Sequence, residues 1–154
     1  MSTQEPEAAR LPVPVADWGR DHWSTLAYLE TRVVDEGGRV DPYRMRCDGS
    51  RHPEKVRFTP GGAHGSGGYP TRLRGGVELA GHDDWDCLED AIAAGLLKPQ
   101  DGADKLRNRY ALTELGELFC AKLRAHKGHG GSYDNFDACR EKDQFGTPLS
   151  KLVP

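Results

Sequence analysis

Two pairs of potential metal ligands flank the glycine-rich middle of the chain. Each pair joins a cysteine and a histidine with four residues between them, and the pairs run in opposite order: Cys47, His52, His82 and Cys87. Thiolate and imidazole are ligands that tetrahedral zinc prefers. A bound metal would also order a stretch with little apolar sequence. These four residues are our candidate zinc site, and zinc is the candidate cofactor.

These side chains also have simpler interpretations. Cys87 falls on the apolar face of a predicted helix, where cysteine packs as a small hydrophobic residue, and His82 falls just before that helix. A second group of candidate ligands, with looser spacing, comprises Cys120, His126, His129 and Cys139. A cysteine nucleophile would need a base within reach and an oxyanion donor, and the sequence identifies neither. We therefore expect binding rather than catalysis.

The first elements that would position these side chains follow from apolar periodicity. Apolar residues recur at spacings of three and four over residues 21–36, which predicts a helix that Asp21 caps. Alternation within residues 71–79 predicts a hairpin. A second helix should start at Asp83 or the residue after it, because acidic side chains favour helix N-termini, and should stop at Gly95.

A strand, a polar loop, a return strand and a third helix are predicted next. The first strand begins at Leu96, and residues 109–112 alternate as its partner. Thr113 suits the N-cap of the third helix, and Gly128 should end it. Residues 82–127 therefore predict helix, hairpin and helix in succession.

This succession resembles a known fold. Residues 88–97 read LEDAIAAGLL, and residues 110–116 read YALTELG. The order of features resembles that of winged-helix proteins such as MarR-type regulators. It consists of a helix ending in Gly-Leu, a charged wing, an aromatic strand and a helix that starts with Leu-Thr-x-x-Gly. The resemblance, which covers about a third of the chain, implies a fold and by itself no function.

The resemblance implies that the helix before the wing enters the DNA major groove. Residues 84–94 would form this helix, and they include four acidic residues and no Lys or Arg. Carboxylates oppose binding to phosphate, for which cations supply the affinity. We therefore expect a protein-contact face, formed by Asp86, Glu89 and Asp90. The alternative is nucleic-acid binding through the basic insertion and wing, with the candidates Arg72, Arg74, Lys105, Arg107 and Arg109.

Charge is strongly blocked along the chain, although the net charge is only −3. Residues 39–77 carry eight basic and three acidic residues, and residues 78–104 carry eight acidic and one basic. Such blocks either attract each other within the fold or form faces for different partners. We find no apolar run long enough to cross a bilayer and no secretory signal, so we expect a cytoplasmic protein with reduced thiols and no membrane contact.

The predicted architecture is α+β, a winged-helix-like small domain with a Gly-rich, basic, β-containing insertion. We expect a disordered lead over residues 1–16, the domain over residues 17–128 with its insertion at 48–80, and a loosely packed tail over residues 129–154. The expected function is a non-enzymatic binding or regulatory module. A protein is its first expected partner, nucleic acid the second and zinc the third, and the sequence leaves the oligomeric state open.

Overall fold

Helices and short hairpins make up the described part of the protein in a computed structural model. The structure describes residues 11–40, Met45, residues 70–100 and residues 109–154. The helices are α1 (Arg20–Glu36), α2 (Asp84–Ala93) and α3 (Glu114–Gly128). The strands are β1 (Thr71–Arg72), β2 (Glu78–Leu79), β3 (Leu97–Pro99) and β4 (Tyr110–Leu112). They form two antiparallel sheets, β1 with β2 and β3 with β4. The α+β prediction is confirmed.

The start of α1 differs from the prediction. Gly19, not Asp21, is its N-cap. Asp21 is buried in the first turn, where its carboxylate accepts a hydrogen bond from the backbone N–H of Arg72 at 2.6 Å. This bond joins α1 to β1 across the fold. Any side chain at residue 19 would collide with the backbone of Leu73, so glycine is required where the two elements meet.

Two carboxylates fix the start of α2 as a capping box. Asp83 accepts from the backbone N–H of Asp86 at 3.1 Å, and Asp86 accepts from the backbone N–H of Asp83 at 2.9 Å. Two of the backbone donors that lack an intrahelical partner at the helix start are thereby satisfied. The helix ends at Ala93, and Gly95 follows with a φ of +81°, so the predicted start and stop are confirmed.

The second hairpin and α3 also follow the prediction. Leu97 pairs with Leu112, and Pro99 pairs with Tyr110. Thr113 caps α3 by accepting from the backbone N–H of Gly116 at 2.9 Å. Its hydroxyl also donates to the carbonyl of Gly95 at 2.6 Å, which joins the start of α3 to the end of α2.

The hydrophobic core joins all three helices to both flanking segments. Its largest buried aromatic side chains are Trp18, Trp23, Trp85, Phe119 and Phe136. Phe136, Ala138 and Leu149 lie in the C-terminal segment, so the expectation of a loosely packed tail is wrong. Val15 is buried as well, so residues 11–16 are not a disordered lead. Burial of apolar surface orders both segments, although their sequences are rich in turn residues.

The length and polarity of the helices can be compared with what a membrane-spanning helix requires. None of the described helices combines the length and apolar character needed to cross a bilayer. Residues 1–10 and 48–69 lie outside the described residues, so the expectations for them stay predictions.

Candidate metal centre

Three potential metal ligands meet in the interior. One nitrogen of His22, one nitrogen of His82 and the Sγ of Cys87 all lie within 4.8 Å of one another. All three side chains are buried, each with 2% of its residue surface exposed. Within the described residues, this is the one such group of His, Cys, Asp and Glu side chains.

Three elements position this cluster. His22 lies in the first turn of α1, and Cys87 lies in α2. His82 lies immediately before Asp83, whose capping box fixes the entry of the chain into α2. Thr71 in β1 contacts His82 from the other side. The cluster therefore depends on the packing of α1, β1 and α2 against one another.

The carboxylate of Asp90 bridges the two histidines. Its Oδ2 accepts from Nε2 of His22 at 2.8 Å and from Nε2 of His82 at 2.9 Å. Its Oδ1 accepts from the backbone N–H of Val13 at 3.3 Å. No Lys or Arg among the described residues forms an ion pair with Asp90, so the two imidazoles are the groups that face its charge.

The hydroxyl of Thr71 completes the network on the far side of His82. Its Oγ1 lies 2.7 Å from Nδ1 of His82 and donates to the carbonyl of His82 at 2.8 Å. The Sγ of Cys87 lies 3.9 Å from this hydroxyl and 4.0 Å from Nδ1 of His82. A hydroxyl has a single proton, so Thr71 cannot donate to both the ring nitrogen and the carbonyl.

Burial and charge act in opposite directions on the ionisable groups. Burial alone would raise the pKa of Asp90, but hydrogen bonds and attraction from His22 and His82 outweigh it, and the pKa is lowered. Burial lowers the pKa of His22, with Asp90 opposing it in part. Burial, with the charge of Asp84 adding to it, raises the pKa of the Cys87 thiol well above its ordinary value. A neutral thiol and an ionised carboxylate therefore share the same interior.

One polar atom of the cluster has no hydrogen-bond partner. Nδ1 of His22 is buried and unpaired among the described residues. The indole ring of Trp18 stacks on this imidazole, with centroids 4.8 Å apart and planes at 14°. A buried ring nitrogen without a partner costs free energy.

A small cavity lies beside the cluster. Its volume is about 250 Å³, and Asp90 is its charged lining residue. Its other walls come from residues 12–16, from the end of α2 and from the C-terminal residues Ser150, Val153 and Pro154. Asp90 therefore lies between the cluster and this cavity.

The predicted zinc ligands are brought together in part. His82 and Cys87 belong to the cluster, whereas Cys47 and His52 lie outside the described residues. The second group, Cys120, His126, His129 and Cys139, does not assemble. The Nε2 of His126 instead lies 2.7 Å from Oδ1 of Asn135 and 2.8 Å from the carbonyl of Ser132.

His22, Thr71 and the bridging role of Asp90 were not predicted from the sequence. A usable signal existed for His22, because it shares a helix face with Leu26 and Leu29 at spacings of four and seven. A titratable residue on an otherwise apolar face needs a buried partner. Sequence spacing could not identify that partner, because Asp90 lies 68 residues away.

The expectation of an acidic contact face is wrong, because two of its three carboxylates are buried. Asp86 is 2% exposed and Asp90 is 5% exposed, because one caps α2 and the other bridges the histidines. Glu89 is the exposed member of the three. The three carboxylates therefore do not form one exposed surface.

The candidate nucleic-acid residues that the structure describes have protein partners. Arg72 donates to Asp134 at 2.7 Å, and Arg74 lies 3.5 Å from Asp137. Arg109 donates to the carbonyl of Gly37 at 3.4 Å. Lys105 and Arg107 lie outside the described residues. Arg72 and Arg74 thus pair with carboxylates of the C-terminal segment, which reduces the charge they offer to phosphate.

Comparison with protein-family models, with curated proteins and with solved structures gives no match to this chain. The class of protein must therefore be inferred from the cluster itself.

Proposed function

We propose that the protein is a non-enzymatic binding module in which His22, His82 and Cys87 hold a zinc ion. The observation that carries this proposal is the convergence of two imidazoles and a thiol, all buried, from separate elements. Amphipathic helices do not require such groups in their core, since apolar residues fill it at lower cost. A metal accounts for all three at once.

The donor set favours zinc over other common cations. Two nitrogens and one sulfur suit a borderline-soft ion with tetrahedral preference. Calcium and magnesium prefer oxygen ligands and higher coordination numbers. Zinc also supplies the positive charge that the buried Asp90 and a Cys87 thiolate need as a counterion.

The burial of the ligands supports a structural or regulatory role for the metal. Catalytic zinc keeps a coordination position that substrate can reach, whereas structural zinc is closed. At 2% exposure, none of the three ligands can meet a substrate of ordinary size. The metal would instead fasten α1 to α2, and Cys87 would need the reduced thiol expected of the cytoplasmic setting that we also propose.

Zinc titration of purified full-length protein tests the proposal. We expect one ion to bind at a site that Cys87→Ala weakens by about 100-fold or more, because a thiolate ligand is lost. The matched control is Cys120→Ala, which removes another buried thiol from outside the cluster. Competition with a chromophoric chelator measures both affinities.

The titration has a clear contrary result. Equal zinc affinity in wild type, Cys87→Ala and Cys120→Ala would show that the cluster is not the site. Absence of zinc binding by the reduced wild-type protein would overturn the proposed function. Circular dichroism of each variant establishes that it is folded before its affinity is compared.

The winged-helix interpretation remains a proposal about the fold. The order of α2, β3, β4 and α3, with the antiparallel pairing of the two strands, supports it. A role in major-groove binding gains no support from α2, because six of its ten residues are buried: Trp85, Asp86, Cys87, Leu88, Asp90 and Ala91.

A further inference from the structure

The proposed zinc site lacks a fourth ligand, since tetrahedral zinc needs four and the cluster supplies three. We propose that Asp90 is this fourth ligand and that Thr71 holds His82 in the tautomer that binds the metal through Nε2. This inference rests on the proposed function and specifies its coordination. The donor set would then be two nitrogens, one sulfur and one oxygen.

The position of Asp90 is the first support. Its Oδ2 already contacts Nε2 of both histidines, at 2.8 and 2.9 Å. Zinc bonds of about 2.0 Å to nitrogen and oxygen separate tetrahedral ligand atoms by about 3.3 Å. To bind zinc, the distance between Oδ2 and each Nε2 would therefore have to increase by only about 0.5 Å. The ligand atoms of the cluster lie within 4.8 Å of one another, and the Cys87 Sγ is 4.0 Å from Nδ1 of His82. The sulfur must therefore move toward Nε2 of His82 to join the metal.

Hydrogen bonding at His82 is the second support. When Nε2 binds a metal, the ring proton resides on Nδ1. That N–H donates to Thr71 Oγ1, 2.7 Å away, and the Thr71 hydroxyl then donates to the carbonyl of His82. The Nδ1–H of His82, the Thr71 hydroxyl and the carbonyl of His82 each have a partner in this arrangement. Metal-bound histidines commonly have such a partner on their other nitrogen.

Charge balance is the third support. Coordination releases the thiol proton of Cys87 to solvent, and the thiolate and the Asp90 carboxylate together neutralise Zn²⁺. Without Asp90 in the coordination shell, a buried site would retain one positive charge beside a separate buried carboxylate. Direct coordination brings the opposite charges into contact in the interior, where an unpaired charge is most costly.

Cobalt(II) is the probe for Asp90, because its visible bands report the ligand set. We expect wild type to show intense tetrahedral bands and a thiolate charge-transfer band that Cys87→Ala abolishes. Asp90→Asn should weaken Co²⁺ binding by about 10-fold or more and shift the visible bands. The control is Asp86→Asn, which alters a buried aspartate of the same helix outside the cluster.

Rescue by a small carboxylate makes the test more specific. Asp90→Ala opens the cluster toward the cavity of about 250 Å³ that Asp90 lines. We expect added acetate to restore Co²⁺ affinity and the wild-type bands in this variant and to leave wild type unchanged. Return of the wild-type bands together with affinity indicates a carboxylate on the metal, because acetate that only hydrogen-bonds the two imidazoles would restore affinity without restoring the ligand set that the bands report.

Thr71 is tested as a positioning residue. We expect Thr71→Val to weaken Co²⁺ binding by about 10-fold without moving the visible bands, and Thr71→Ser to restore affinity. Long-range nitrogen NMR of the zinc-loaded wild type should show the His82 proton on Nδ1. A proton on Nε2, with the metal on Nδ1, would overturn the role of Thr71.

Each failure has its own signature. A wild type without the thiolate band would overturn the proposed function and this inference with it. A wild type with that band, alongside an Asp90→Asn variant with the same affinity and spectrum, would overturn the Asp90 ligand alone. If the Asp90 variants do not fold, azide added to the wild-type cobalt protein decides the question. Unchanged bands indicate a closed site, and a shift reveals an open fourth position.

Discussion

Buried polar side chains are the residues that most distinguish this protein from an ordinary small domain. Thr71, His82, Asp86 and Asp90 are each buried and hydrogen-bonded. Removing one partner of such a group leaves the other unsatisfied, at a cost of about 1–3 kcal/mol. The same side chains therefore influence stability and the proposed metal site, and variants need both measurements.

The three described thiols should differ in reactivity. Burial raises the pKa of Cys120 to about 12 and that of Cys87 well above its ordinary value. The thiolate is the reactive form, and at pH 8 only about 0.01% of a thiol with a pKa of 12 is present as thiolate. We expect iodoacetamide to modify the half-buried Cys139 first and to reach Cys87 and Cys120 only on unfolding.

Peptide mass mapping of the labelled protein measures each site separately. Denaturation in urea before labelling is the control, since all three thiols should then react alike. Modification of Cys120 in the folded protein at the rate of Cys139 would contradict the buried positions.

At the level of elements, close approaches between backbones decide where the helices pack. A Cβ on Gly116 would collide with the carbonyl of Leu96, so α3 can lie against the chain after α2 only with glycine at this position. Gly128, at the end of the same helix, has open space around it. The two glycines therefore have different reasons to be present.

Alanine substitution separates these reasons. We expect Gly116→Ala to destabilise the protein by about 1–3 kcal/mol, because α3 must move away from Leu96. Gly128→Ala should be neutral or stabilising by up to about 1 kcal/mol, because alanine is the better helix former. Urea denaturation measures both, and equal midpoints for the two variants would refute the close contact.

At the scale of the whole molecule, the C-terminal segment completes the core. Phe136 packs edge-on against Trp23 with ring centroids 4.6 Å apart, and Leu149 is fully buried. Arg72 and Arg74 of the first hairpin pair with Asp134 and Asp137 of this segment. The segment thus belongs to the folded domain.

Two phenylalanines of this segment provide a matched test. Phe136→Ala should cost about 3–5 kcal/mol, because it leaves a cavity beside Trp23. Phe145, which is 83% exposed, should tolerate alanine within about 0.5 kcal/mol. Thermal unfolding followed by tryptophan fluorescence measures the difference. A Phe136→Ala variant as stable as Phe145→Ala would show that the segment does not support the core.

Local signals in the sequence determined much of the fold. The ranges of α1 and α3, both hairpins and the caps at Asp83 and Thr113 follow from periodicity, turn residues and capping, which act over a few neighbouring positions. The same signals misassigned Asp21 and the C-terminal segment. A carboxylate near a helix start can cap or be buried, and turn-rich sequence can still bury one aromatic ring in a distant core.

The sequence by itself determined the α+β class, the helices and hairpins, and two ligands of the proposed site, His82 and Cys87. The tertiary structure alone decided that His22, Thr71 and Asp90 join them and that Asp86 and Asp90 are buried. The physical reason is the distance along the chain over which each interaction acts. Caps and periodicity act within about one helical turn, whereas the cluster depends on packing α1 against α2 and bringing His22 to Asp90, 68 residues away.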